Sequence, residues 1–200
     1  MKIRTLLLAT SLISSPAFAS SLNLDYVEAG YAVLSLDDAS IDPKGVGVKF
    51  SKQVEENFLI KASYTQTSDS SDYDDYELGQ LYAGFGFLTH IDEDKIIEIS
   101  PYYGKFKTEY KYSYRGRSNK GSHDTTVYGL EANYHFAFNE ALDMLIGAGY
   151  ERLDFDSDPE NNAFYQVQLN YNFSEKFTFN FSHRNVKDYK NTGLNIRYNF

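Results

Sequence analysis

The chain has 200 residues, a formal net charge of −9 and no cysteine. That acidic balance argues against nucleic acid as a partner, and the missing cysteines fit an exported protein that needs no disulfide staple. The low mean hydropathy would ordinarily exclude a membrane protein, but not one that crosses with strands, where polar and apolar residues alternate and average out.

Lys2 and Arg4 precede an apolar run, Leu6 to Ile13, followed by Ser14, Ser15, Pro16 and Ala17-Phe18-Ala19. A charged start, a short apolar stretch and an A-x-A site predict a signal peptide over residues 1–19 and a mature chain from Ser20. The run is too short to span a bilayer as a helix. Cleavage there removes two cations and no acids, taking the formal charge from −9 to −11.

From Ser20 onward, residues 20–200 divide into segments with a period of two, of the length that crosses a bilayer as a tilted strand, about nine to eleven residues. The first, near Asp25 to Leu34, sets Val27, Ala29, Tyr31 and Val33 against Glu28, Gly30 and Ala32. Similar alternation follows over Gly45 to Ser51, Phe58 to Thr67 and Glu77 to Leu88, and over Ile96 to about Phe106, where Pro101 lacks a ladder donor and predicts a bulge. Thr125 to Phe138, Leu142 to Leu153 and Ala163 to Phe173 continue the pattern. Phe177, Phe179 and Phe181 then alternate with Thr178, Asn180 and Ser182. The tenth segment, Asn191 to Phe200, alternates Leu194, Ile196, Tyr198 and Phe200 with polar residues and stops on the aromatic.

The connections after even-numbered segments are short: Lys52 to Asn57, Thr89 to Lys95, Asn139 to Ala141 and Ser174 to Lys176. Those after odd-numbered segments are mostly longer and more polar, the longest spanning roughly Lys107 to Asp124. An even strand count, short turns on one side and long loops on the other predict an all-β closed antiparallel transmembrane barrel of ten strands, or eight if two weak segments are loops, with both termini periplasmic. Closure satisfies every backbone group without an exposed edge. The many tyrosines and phenylalanines, 18 and 15, suit girdles at two membrane interfaces. The rival is an exported soluble β-barrel or sandwich, whose apolar positions would face inward.

The whole mature chain resembles the small outer-membrane β-barrel proteins related to the OmpA-type transmembrane domain. In them a C-terminal Phe with alternate apolar residues before it, here Leu194, Ile196, Tyr198 and Phe200, is the recognition signal for insertion by the barrel-assembly machinery. Tyr26 to Tyr31 (Y-V-E-A-G-Y) and Gly45 to Phe50 (G-V-G-V-K-F) are also similar to an outer-membrane and vesicle protein family once proposed as an immune elicitor in plant-associated bacteria. The first resemblance implies the fold and a cell outer-membrane location; no functional residue is carried over from either.

Strand order makes Glu28 a neighbour of Lys49 and Arg197, and Lys61, Glu98, Glu131 and His135 share the polar face. Unpaired charges there would be costly, so a mutually paired network across the lumen is expected, similar to the salt bridges that keep OmpA-type barrels nearly closed. Its functional reading is a gate; its plainer and preferred reading is packing of a polar interior. In the third outer loop Lys107, Lys111, Arg115, Arg117, Lys120 and His123 accompany Tyr110, Tyr112 and Tyr114, predicting a hairpin that continues outward and turns around Arg115 to Gly121. Its cations suit lipopolysaccharide phosphates and its tyrosines an extracellular partner, against the plainer reading of a solvated hairpin.

Asp154-x-Asp156-x-Asp158 opens like a calcium loop, but Pro159 replaces the turn glycine and Tyr165 the bidentate Glu, so no EF-hand forms and no metal is expected. Asp72, Asp74 and His123-Asp124 offer the residue types of ten-stranded outer-membrane proteases, within a much shorter chain and a low-complexity polar run. Ser182 and His183 are adjacent on one strand and so face opposite sides, which defeats a direct Ser–His contact. No catalytic residue and no cofactor are expected. The sequence therefore predicts a monomeric, non-enzymatic barrel with a structural or surface-interaction role through its outer loops. A narrow pore gated by lumenal charges is the second reading, and an outer-membrane hydrolase the third.

Overall fold

The computed structural model describes residues 22–36, 42–70, 74–114, 117–155, 159–187 and 189–200. They form ten strands: β1 (Tyr26–Leu36), β2 (Lys44–Glu55), β3 (Phe58–Ser70), β4 (Asp74–Asp92), β5 (Lys95–Tyr114), β6 (Arg117–Asn139), β7 (Leu142–Asp154), β8 (Glu160–Asn172), β9 (Phe177–Val186) and β10 (Tyr189–Asn199). Each pairs antiparallel with its chain neighbours, and β1 pairs with β10 from Tyr26↔Asn199 to Leu36↔Tyr189, closing the barrel. This excludes the eight-stranded alternative.

The alternation decides which wall each side chain joins. Val27, Tyr31, Val46, Val48, Ile60, Tyr64, Leu81, Ile146 and Leu169 are exposed on the outer wall, while Glu28, Glu98, Glu131, Glu151, Asn180 and Arg197 are buried inside. A soluble barrel would be built the other way round, so this inversion removes that rival: only a lipid environment rewards a band of apolar side chains pointing out. The aromatics also sort by height. Phenylalanines such as Phe50, Phe136, Phe173 and Phe179 lie toward the end with tight turns, and Tyr31, Tyr64, Tyr103, Tyr128, Tyr150 and Tyr165 lie toward the other.

The tight turns are set by side chains that cap their own backbone. Asp92 accepts from the Asp94 amide at 3.0 Å and Asn139 from the Ala141 amide at 2.9 Å, as Asx turns do. Lys95 also donates to Asp92, which holds that carboxyl below its ordinary range. At the opposite end the polar stretches between strands are largely strand themselves. The β5–β6 ladder runs unbroken from Lys95↔Phe136 to Tyr114↔Arg117, so the expected outward hairpin is present and longer than the segments Ile96 to Phe106 and Thr125 to Phe138 implied.

Pro101 does not make a bulge. On one side it pairs in register with Leu130, and on the other the ladder keeps the same register from Gly84↔Tyr102 to Phe87↔Ile99. The missing donor removes pairing locally toward β4 without inserting a residue. The β4–β5 shift occurs instead next to the turn, between His90 and Asp92.

Both ends of the interior are apolar. Toward the tight turns Leu22 and Leu24, which precede β1, pack with Leu59, Leu88 and Ile96. At the opposite end Leu34, Leu78, Phe164, Val186 and Tyr189 form a second cluster. Polar side chains fill the space between.

Candidate functional site

Three groups of charged residues occupy the lumen. In the first, Arg197 on β10 donates to Glu28 Oε2 on β1 from Nε (3.0 Å) and a terminal nitrogen (2.9 Å). Lys49 Nζ lies 2.9 Å from the other oxygen, an ion-pair contact without hydrogen-bond alignment. The guanidinium also sits 3.7 Å from the centre of the Tyr26 ring. Glu28 is only 1% exposed, so the two cations offset a desolvation cost that it could not bear alone.

The second group centres on Lys61 of β3, which bridges Glu98 (2.5 Å) and Glu131. His135 Nε2 lies 2.8 Å from the second oxygen of Glu98, Ser100 donates to the first, and Gln166 donates to Glu131 at 3.3 Å. The candidate residues Glu28, Lys49, Lys61, Glu98, Glu131, His135 and Arg197 thus fall into two clusters, and among the described residues no ion pair joins one to the other.

The third group escapes the sequence reading. Arg184 on β9 reaches Glu131 (3.3 Å) and Glu151 (2.8 Å), and lies 3.6 Å from the Phe164 ring centre. Glu151 is fully buried and also accepts from the hydroxyls of Tyr102 (2.9 Å) and Tyr189 (2.7 Å). Room for Tyr102 is made by Gly129, where a Cβ would meet the phenol ring within 2.0 Å. The signal available was parity: Arg184 continues the inward row Thr178, Asn180, Ser182.

Between the two apolar clusters these residues line a chamber of about 210 Å³, bounded on one side by Gly47, Ser63 and Thr65. Its walls are ion-paired and amide-rich, an arrangement that packs and hydrates rather than activates a nucleophile. Ser182 faces this chamber, whereas His183 is on the outer wall, where it bonds Thr192 (2.9 Å) beside the Tyr165 ring.

Of the cations expected in the third outer loop, three are placed by strand pairing. Lys107, Lys111 and Lys120 share the outer-wall face, while Tyr110 and Tyr112 continue the inward-facing row above the lumen. Lys107 pairs with Glu109 at 2.5 Å and Lys111 with Asp75 at 3.2 Å. Lys111 and Lys120 are cross-strand partners, and Arg117 pairs through its backbone with Tyr114. Arg115, Asp72, Asp156 and Asp158 lie outside the described residues, and His123 stacks on Phe155 with ring centres 6.1 Å apart.

That hairpin leaves an edge. β7 meets β6 no further out than Thr126↔Asp154, so Arg117 to Thr125 pair with β5 on one side and with no described strand on the other. At the chain's end Leu194, Ile196 and Tyr198 are exposed on the outer wall, and Phe200 stacks near Phe50 at 6.3 Å while its amide donates to Asp25.

The sequence profile of the outer membrane protein β-barrel domain matches residues 5–173. No curated protein sequence matches the chain. Among solved structures, the β domain of the Bordetella autotransporter BrkA aligns with a TM-score of 0.54 at 8% identity, covering 88% of this chain and 98% of that one. The translocator domain of the autotransporter NalP from Neisseria meningitidis aligns with a TM-score of 0.52 at 12% identity, covering 92% and 90%. The attachment invasion locus protein Ail of Yersinia pestis is 19% identical over 88% of this chain and 97% of its own, with a TM-score of 0.45. At these identities the likeness to BrkA and NalP is one of fold. With the profile match over most of its length, the chain belongs to the outer membrane protein β-barrel domain family.

Proposed function

We propose that this barrel is a non-enzymatic surface-interaction protein of the outer membrane, closed to solutes, that acts through the strand edge on the outer part of β6. The observation that carries this is the contrast between the two kinds of ending. Apolar clusters lie at both ends of the lumen, while Arg117 to Thr125 have, among the described residues, no strand partner on the side away from β5. A barrel has no edges where it crosses lipid, so an edge exists only where the hairpin stands clear of the wall. It suits an extended segment of a partner, which adds as a further strand through main-chain hydrogen bonds. Lys120, His123 and Asp124 along it limit indiscriminate pairing and select the partner.

In this reading the tight turns and both termini face the periplasm and the hairpin faces out. The test is a peptide-display selection against the refolded protein, counter-selected with a variant in which Glu109 to Ser122 are replaced by Asn-Gly. Enrichment of extended, β-prone segments that the shortened protein does not bind is expected; indistinguishable pools from the two proteins would remove the edge as the site.

The chamber of about 210 Å³ supports a second reading, a gated pore. Planar-bilayer recording of residues 20–200 decides between them. Silence from inserted, folded protein is expected, whereas discrete steps altered by Glu28→Gln would establish the pore.

A further inference from the structure

Beyond the lumen and the edge, the outer wall carries a graded surface that neither uses. The pairing rows climb steeply: a row starting beside Gln53 near the tight turns passes through Leu59, Glu131, Phe164 and Val186 and returns on β1 at Leu36. With that stagger, Tyr31, Tyr64, Tyr103, Tyr128, Tyr150 and Tyr165 fall in one ring, where amphipathic rings mark a membrane boundary. The next outward-facing residue on each of those strands is Val33, Gln66, Lys105, Thr126, Arg152 or Ala163, and Lys44 follows Val46 on β2 in the same way. This step carries three cations and no acid in a protein of net charge −9.

At one place the step is hollowed into a groove of about 390 Å³, bordered by Tyr64, Leu81, Lys105, Lys107, Glu77, Glu109 and Asp124, with Gly79 as its floor. A Cβ at Gly79 would stand 3.4 Å from Gln66 Oε1, 3.6 Å from the Tyr64 hydroxyl and 3.9 Å from the Lys107 carbonyl, so a side chain fits there and the groove exists because none is present. Its polarity runs in order. Tyr64 and Leu81 are half exposed below, Lys105 and Lys107 lie in the middle, and above them Glu77 and Glu109 face each other across the β4–β5 ladder, with Asp124 of β6 opposite Lys107.

We propose that this groove seats a phosphorylated glycolipid of the outer leaflet, the class to which lipopolysaccharide belongs. Acyl chains lie over Leu81 and Tyr64, a phosphate sits between Lys105 and Lys107, and sugar hydroxyls donate to Glu77 and Glu109. Lys105 has no ion pair among the described residues, so it meets the phosphate without first giving up a partner, whereas Lys107 is shared with Glu109. Charge-assisted contacts at a membrane boundary are strong enough to hold one lipid against exchange with its neighbours. The carboxylates on the upper lip distinguish a sugar head from a plain phospholipid, whose charged head would meet them. The proposal rests on the outward orientation given above and not on the β6 edge.

Native mass spectrometry of the mature protein in detergent tests it, with three probes added separately: a bisphosphorylated acyl-glucosamine disaccharide, its dephosphorylated form, and phosphatidylglycerol. One bisphosphorylated lipid retained per barrel is expected, with about tenfold weaker retention for Lys105→Gln/Lys107→Gln. Gly79→Val, which fills the floor and keeps every charge, should lose it as well. Retention of the dephosphorylated lipid or phosphatidylglycerol equal to that of the phosphorylated glycolipid would overturn the proposal, as would unchanged retention by Gly79→Val. Binding to the β6 edge stays intact in all of these variants, so the two readings fail separately.

Discussion

Arg184 is the side chain on which most of the lumen depends. It joins Glu131 of one cluster to Glu151 of another and covers the Phe164 ring, and Glu151 has no other cation within ion-pair distance among the described residues. Removing one partner of a buried pair leaves an uncompensated charge, so Arg184→Gln should cost about 3–5 kcal/mol, read as a lowered denaturant midpoint in lipid vesicles. Arg184→Leu with Glu151→Leu should recover part of that loss, since no carboxylate is then left buried without its cation on β7, while the hydroxyls of Tyr102 and Tyr189 lose their acceptor. An unchanged midpoint in Arg184→Gln would mean that water, not the guanidinium, solvates Glu151. The residue was legible only in part. Its inward direction follows from the parity of Thr178, Asn180 and Ser182, but its partners sit on β6 and β7, brought across the lumen by closure and stagger that no local pattern encodes.

At the scale of elements, β6 combines two environments in one continuous strand. Tyr128 to Phe136 are paired on both sides, by β5 and by β7, whereas Arg117 to Thr125 have β5 alone among the described strands. Amide exchange should report this difference directly. Roughly every second amide between Arg117 and Thr125 points to the open edge and should exchange in seconds, while Tyr128 to Phe136 remain protected for hours, about as long as the barrel stays folded. Uniform slow exchange across both halves would show the edge already covered and would withdraw it as a docking site. The hairpin itself was readable from the alternate tyrosines Tyr110, Tyr112 and Tyr114. Its full length was not, because Lys107 to Asp124 carry polar residues on both faces, and a period of two shows in composition only where one face is apolar. For the same reason the polar run did not show that strand pairing sends Lys107, Lys111 and Lys120 to one face and Tyr110 and Tyr112 to the other.

In the proposed reading the whole molecule is sealed in two unlike ways, with the tight turns toward the periplasm. At the outer end the cluster of Leu34, Leu78, Phe164, Val186 and Tyr189 belongs to the barrel wall itself, so opening it means distorting β1, β4, β8, β9 and β10 together. At the other end part of the seal is a separate piece, Leu22 and Leu24, tucked against Leu59, Leu88 and Ile96 ahead of the first strand. Asp25 anchors it by accepting from Lys52 and, at 2.6 Å, from the Gln53 amide. Each leucine gains about 2 kcal/mol from leaving water, enough to keep the segment seated and little enough for two substitutions to release it. Because the chain has no cysteine, a single one placed in the chamber by Ser63→Cys reports on access without background. With the seal intact the thiol should resist a membrane-impermeant reagent. Leu22→Ser/Leu24→Ser should make it reactive at least about tenfold faster, as expected when a barrier of roughly 1.4 kcal/mol or more is removed. Conductance should nonetheless stay at baseline, because the outer cluster still blocks the path. Fast labelling with both leucines in place would show that the tight-turn end is already open, and ion flow in the double variant would show that the outer cluster does not seal. Only silence together with accelerated labelling is consistent with a barrel that is a closed vessel, with its interactions confined to its outer surface.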